Sequence, residues 1–279
     1  MGVDISRDNI TNPREGAYAR MVKQKQSLKM VVDGVEQIVY PKVIFLIGDC
    51  AKKFENAEAA GDDEESKRLF QILYSQPNVS RSIPHYLRDY AGRATRGFSL
   101  VSCMFAIHYF FETEDKLDGF FHNVAHNLKT DGYFITTFMD GLRVHELLTT
   151  GTNKTPGIAE GRKVNNSIPV WAIIKRYATF EENNYYGKPV DVFLENINKM
   201  IPEYLVHYPT LVEKAKKYNL QVEDTGMFGD TFHKVLTNID RSKSKNNLSH
   251  VEKAVLELEN DTIQTQFSFL NRWVVFKKV

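Results

Sequence analysis

The sequence predicts an α/β protein with parallel strands, on three observations. Residues 98–103 are a short apolar run of strand length. Residues 116–128 place Leu117, Phe120, Phe121, Val124 and Leu128 at spacings of three and four, which is one face of a helix. Residues 133–138 are a second apolar run rich in β-formers, set behind the turn signal of Asp131 and Gly132. Strand, helix and strand of these lengths read as two parallel strands joined by a crossover. Ligands of such sheets collect at the carboxyl ends of the strands. Residues 104–109 and 139–140 are therefore the first places to look for chemistry.

The remaining elements follow in chain order. Residues 1–6 read as the end of a strand, and Asp4 at its carboxyl end is placed to accept hydrogen bonds from a ribose diol. A capping or surface aspartate explains the same residue equally well. Residues 8–23 read as a helix. Residues 42–47 (KVIFLI) read as a buried strand closed by Gly48, and Asp49 lies just past its end. Two strand-end aspartates in succession strengthen the signal of a nucleotide-binding sheet. Residues 55–66 are acidic and read as an exposed insertion, continued by a helix over 67–74. Residues 77–96 read as a loop with a short helix; Arg81, Arg88, Arg93 and Arg96 suit either a phosphate or a solvated face.

A helix is expected over 141–149 and a loop of Gly, Thr, Asn and Pro over 150–167. Residues 170–177 and 189–197 read as an antiparallel hairpin added to the main sheet. Residues 201–208 (IPEYLVHY) lead into an amphipathic helix over 209–218. A strand is expected over 220–228, a polar helical stretch over 229–260 broken near 246–249, and a last strand over 267–276.

Composition bounds the partners. The 279 residues are 42% hydrophobic and 25% charged, with a formal charge of +1, so no global basic field draws in nucleic acid. Basic clusters at 23–29 and 241–245 read as solvated surface. Two cysteines, Cys50 and Cys103, argue against a disulfide framework and fit a reducing compartment. No apolar stretch has the length of a membrane span, and no signal peptide is recognisable. No metal-ligand spacing stands out. Glu203 lies between Pro202 and Tyr204, a setting that suits an NH-rich flat ring or the first turn of a helix. His108 and Tyr109 carry a similar ambiguity between chemistry and core.

Three longer segments carry a resemblance. SCMFAIHYFFE at 102–112, NVAHNLKTDGYFITTFMDG at 123–141 and PEYLVHYPTLVEKAKKYNL at 202–220 resemble messenger-RNA cap (guanine-N7) methyltransferases, most of all those of large DNA viruses. GVDISRDNI at 2–10 and GDC at 48–50 fall in the right order. The resemblance implies a Rossmann-like sheet of the class I S-adenosylmethionine-dependent methyltransferases with an antiparallel cap-binding hairpin. It implies one domain over 1–279, with an insertion at 55–96 and a polar linker or helix at 241–262. It further implies S-adenosylmethionine as cofactor, touched by Asp4 at the ribose, Asp49 at the adenine, and Met104, Phe105 and Tyr109. Phe105, His108, Tyr109 and Glu203 would bind the guanine, and Trp273 would close the pocket where the family has Tyr. No residue is implied as an acid–base catalyst.

Two departures accompany the likeness. Met104 stands where the family has a cofactor-contacting Gln. The family's glycine-rich cofactor loop has no counterpart, which implies a domain incomplete at its N-terminus. The implied partners are the capped RNA 5′ end (GpppN) and other capping-enzyme domains or a stimulatory subunit. The implied setting is a cytoplasmic viral factory, a virion or the nucleus. A small-molecule methyltransferase of the same fold and a non-catalytic fragment or scaffold remain as alternatives.

Overall fold

The computed structural model describes residues 1–25, 29–32, 35–38, 43–75, 83–150, 155–163, 167–181, 184–241 and 247–279. The chain divides into two compact units, Met1–Gly97 and Phe98–Val279.

In the first unit, β1 (Gly2–Asp4) is followed by α1 (Arg7–Thr11) and α2 (Ala17–Lys25). The single helix expected over 8–23 is thus broken. Pro13 disfavours helical backbone at the residue before it, and Asn12 is extended at φ −53° and ψ 125°. A short antiparallel pair, β2 (Lys29–Val32) and β3 (Val35–Ile38), precedes β4 (Phe45–Ile47). β4 runs parallel to β1, with Asp4 opposite Ile47. α3 (Glu64–Leu73) starts on Asp63, whose carboxylate accepts from Ser66 N at 2.7 Å. That backbone donor holds the Asp63 carboxyl below its usual range. The acidic stretch expected to be an exposed insertion is partly core. Ala57, Ala59 and Ala60 are buried, and Ala59 O accepts the Asp49 N–H at 2.8 Å. Its alanines, not its acids, decide how it packs. No helix among the described residues is long and apolar enough to cross a membrane.

The second unit opens with β5 (Phe98–Met104), α4 (Glu114–Asn127) and β6 (Leu128–Met139). β5 and β6 are parallel, as the crossover requires. Thr113 caps α4 by accepting from Lys116 N, and Leu117, Phe120, Phe121 and Val124 are buried on one face. Each buried side chain of this size contributes about 1.5–3 kcal/mol relative to exposure. α5 (Gly141–Thr149) follows directly.

Next come β7 (Ile158–Gly161), β8 (Trp171–Lys175), β9 (Pro189–Leu194) and β10 (Lys199–Tyr204). These four make a separate antiparallel sheet in the order β10–β9–β8–β7. The expected hairpin is therefore real, as β8 and β9, but it is not added to the main sheet. β7 lies in the stretch read as a loop; four residues carry little pattern, and β8 supplies its partners. β10 takes the residues read only as a lead-in to a helix. The inner face of this sheet packs Trp171, Ile173, Val190, Val192 and Leu205 with Val144 and Leu148 of α5.

α6 (Tyr208–Lys217), β11 (Leu220–Met227), α7 (Phe228–Asn238), α8 (His250–Leu258), α9 (Thr262–Ser268) and β12 (Asn271–Lys278) complete the chain. β12 inserts antiparallel between β6 and β11, giving the order β11–β12–β6–β5. The last strand starts later than expected because Asp261 caps α9 across the apolar residues before it.

Candidate active site

In the first unit the two aspartates lie at the carboxyl ends of adjacent parallel strands. Asp4 Oδ1 accepts from Ser6 N at 2.8 Å and Oδ2 accepts from Asn9 Nδ2 at 3.1 Å. Gly48 N donates to Asp4 O at 2.9 Å, joining the two strand ends. Asp49 Oδ1 accepts from Ala51 N at 2.9 Å. A Cβ at Gly48 would sit 3.1–3.2 Å from the Val3 and Phe70 side chains, which would have to give by a few tenths of an ångström. Each carboxylate keeps lone pairs beyond these bonds.

In the second unit the site lies after β5. Met104 is half exposed and pairs with Thr137 of β6. Phe105 sits at φ 52°, a left-handed conformation that costs a non-glycine residue about 1–2 kcal/mol. Its N–H is held by Thr137, at 2.9 Å to the carbonyl and 3.2 Å to the hydroxyl oxygen. The ring stays half exposed and meets Phe228 edge-on at 6.0 Å. Strained backbone that presents an aromatic ring outward is characteristic of functional positions.

A 3₁₀ turn over Ile107–Glu112 comes next. Ile107 and Phe111 are fully buried and fix it, which turns the Tyr109 ring outward. His108 lies between, buried, with its ring 4.1 Å from that of Tyr109. Its Nδ1 is 3.6 Å from Glu203 Oε2, and its Nε2 is buried without a hydrogen-bond partner. Glu203 stands on β10 opposite Val190. Burial pushes His108 down to about 4 and Glu203 up to about 7. An ion pair would move both the other way, and 3.6 Å is too long for a hydrogen bond. Desolvation wins, so the pair is poised between neutral and anionic near pH 7.

The structure thus brings His108, Tyr109 and Glu203 to one corner, while Phe105, just before them in the chain, meets Phe228. Trp273 pairs with Thr137, which pairs with Met104, so the three share one face of the sheet. That indole packs over Gly226, where a Cβ would lie 2.9 Å from the ring, and Nε1 donates to Thr231 Oγ1 at 3.1 Å. Trp273 makes neither a ring contact nor a hydrogen bond with His108 or Glu203. Asp140 is occupied as well: it caps α5 and holds Arg272 at 2.7 Å, and Arg272 lies over the Tyr208 ring. Cys103 is inert, its thiol pushed up to about 12 by burial.

Of the basic residues, Arg88 and Arg93 bond carbonyls of their own turns, Lys23 bonds Arg14 O, and Arg241 pairs with Glu259. Arg81 and most of the clusters at 23–29 and 241–245 fall outside the described residues. Sequence reasoning missed Phe228, an aromatic at a strand–helix junction that looks like core.

Parallel strands with polar or aromatic residues at their carboxyl ends define an α/β protein of the kind that binds ligands there. The chain belongs to the family of mRNA (guanine-N(7))-methyltransferase domains, whose family model matches residues 28–274 and so runs across both units. It is 31% identical over 134 residues to the mRNA cap guanine-N(7) methyltransferase of Drosophila melanogaster, covering 48% of this chain and 29% of that one. It is 32% identical over 138 residues to the Saccharomyces cerevisiae enzyme of the same name, covering 48% and 30%. A probable mRNA-capping enzyme of Acanthamoeba polyphaga mimivirus is 24% identical over 303 residues, covering 100% of this chain and 23% of its own length. The matches span less than a third of each of these relatives. Among solved structures, the PH0226 protein of Pyrococcus horikoshii OT3 overlaps all of this chain and 70% of its own at 14% identity and a TM-score of 0.42, too loosely to place residues.

Proposed function

We propose that this chain transfers a methyl group from S-adenosylmethionine to N7 of the guanosine at a messenger-RNA 5′ end. The family match over residues 28–274 carries the reading. The unpartnered His108 Nε2 beside Glu203 supports a polar planar ligand at that corner. The Watson–Crick edge of guanine presents ring and amino N–H donors, which suit the Glu203 carboxylate. Tyr109 and Phe105 offer ring faces for stacking. The mimivirus likeness supports a virus-encoded capping system as the setting, with capping domains or a stimulatory subunit as companions.

S-adenosylmethionine, when bound, supplies an electrophilic methyl on a sulfonium. In the first unit, Asp4 offers acceptors for its ribose hydroxyls and Asp49 for its adenine side. Guanine N7 has a free lone pair, so no base need remove a proton first. What remains for side chains is to hold N7 in line and to tolerate charge moving onto the base. Glu203 as carboxylate does both. His108, neutral at pH 7, adds no opposing charge.

The test is methyl transfer from labelled S-adenosylmethionine to GpppA-RNA, ApppA-RNA and free small acceptors. Transfer confined to GpppA-RNA is expected. Methylation of small acceptors alone would overturn the substrate, and absence of S-adenosylhomocysteine binding by calorimetry would leave a scaffold.

A further inference from the structure

The two halves of the corner arrive on different elements. His108 and Tyr109 lie on the 3₁₀ turn over Ile107–Glu112, and Glu203 stands on β10. At 3.6 Å, His108 Nδ1 and Glu203 Oε2 are not hydrogen-bonded, so the two side chains do not fix their own separation. The backbone beside them does. Gly187 N donates to Phe111 O of the turn at 2.9 Å. The next residue grips the other half: Lys188 O accepts from Leu205 N at 3.0 Å, one pair beyond Tyr204 and Pro189 on the β9–β10 ladder. Two consecutive residues thus bridge the turn to the strand. A planar peptide holds their Cα atoms about 3.8 Å apart, so the bridge is short and stiff. Tyr186, one residue earlier, stacks on the fully buried Phe111 at 5.9 Å and seats the same junction.

The bridge depends on one backbone conformation. Gly187 has φ 61°, in the left-handed region that side chains disfavour. A Cβ there would lie 3.4 Å from Glu112 O, an ordinary van der Waals contact. The position therefore calls for glycine by its conformation and not by lack of space. A residue that resists positive φ would turn its N–H away from Phe111 O and let the turn drift from β10. Asparagine adopts the left-handed region more readily than alanine does.

We propose that Gly187 is a positioning residue for methyl transfer, whose left-handed backbone sets the separation between the His108–Tyr109 pair and Glu203. This rests on the proposed function and adds the residue that aligns its two halves. Gly187 touches no substrate in this role; it acts through Phe111 and Leu205. Small displacements of binding groups are costly in rate, because the guanine must meet the acid and the rings at once.

The experiment compares Gly187→Ala and Gly187→Asn with wild type, on the full chain. It reads guanosine and S-adenosylhomocysteine affinity by calorimetry, KM and kcat with GpppA-RNA, and the thermal melt. Gly187→Ala is expected to weaken guanosine about tenfold and to raise KM for GpppA-RNA by a similar factor, with S-adenosylhomocysteine affinity unchanged. Gly187→Asn should restore most of that loss. If Gly187→Ala binds guanosine as tightly as wild type, the proposal fails. Equal losses in Gly187→Ala and Gly187→Asn would put the effect on space instead of conformation and overturn it. A lower melting temperature with both affinities reduced alike would make the glycine structural, which also overturns it. All three outcomes leave the methyltransferase reading standing. If wild type neither binds guanosine nor methylates GpppA-RNA, that reading falls, and the glycine's role with it.

Discussion

Two buried charge clusters of the same unit make opposite use of their polar groups. Lys214 of α6 is nearly buried, and its ammonium donates to Glu114 at 2.7 Å and to Asp118 at 2.8 Å. Tyr218 adds a third bond, to Asp118 at 3.2 Å. Burial alone would lower the lysine, but the bonds to Asp118 and Glu114 outweigh it and raise it. At the other corner His108 and Glu203 are both driven towards neutrality, and one imidazole nitrogen has no partner. The first cluster is finished within the chain and ties α6 to α4. The second leaves its hydrogen bonds unmade, which a native structure sustains where a ligand completes them.

The largest expected effect is at the unfinished corner. Glu203→Gln should weaken guanosine binding and methyl transfer by about 100-fold, the scale of losing one preorganised electrostatic group. Its effect on stability should run the other way. The Glu203 pKa is raised by folding, so its contribution is full below the unfolded value near 4.5 and lost as pH rises through about 7. Glu203→Gln should therefore gain up to about 3 kcal/mol over wild type at pH 8 and little at pH 5. Denaturant melts at the two pH values check this. A uniform loss at both would make the corner structural, like its counterpart.

At the finished cluster, Lys214→Met should cost about 2 kcal/mol in urea unfolding and leave guanosine affinity alone. The two acids it abandons are 58% and 37% exposed, so water screens what remains. A change in affinity would erase the contrast. Next in size is a pH profile. Guanosine affinity should rise about tenfold from pH 6 to pH 8, as Glu203 becomes a carboxylate near 7. A flat profile would mean that Glu203 is not the acceptor. The smallest effect belongs to Trp273→Phe. It should cost about 1 kcal/mol for the bond to Thr231 and change guanosine affinity less than twofold. A larger loss would put Trp273 in the site after all.

How much of this could be read beforehand depends on distance along the chain. The strands of the crossover, the buried face of α4, α5 and β11 follow from periods of two and 3.6, which neighbouring residues set among themselves. Phe105, His108, Tyr109 and Glu203 could be put forward from the sequence because their short motifs resemble a known family. The sheet to which β8 and β9 belong was not, since β7 and β10 carry too few residues to show a pattern. For Trp273, residue type alone does not tell that a glycine on the next strand will lie under its ring.

The sequence by itself determined the crossover strands, α4, α5 and β11, because caps, turns and apolar spacing act within a few residues. It also determined the family, because SCMFAIHYFFE and PEYLVHY are contiguous. Only the tertiary structure decided that Glu203 faces His108, 95 positions away, and that His108 Nε2 is buried without a partner. Burial and partnership are properties of what the rest of the chain places around a side chain. Desolvation, which sets both protonation states here, has no local signature.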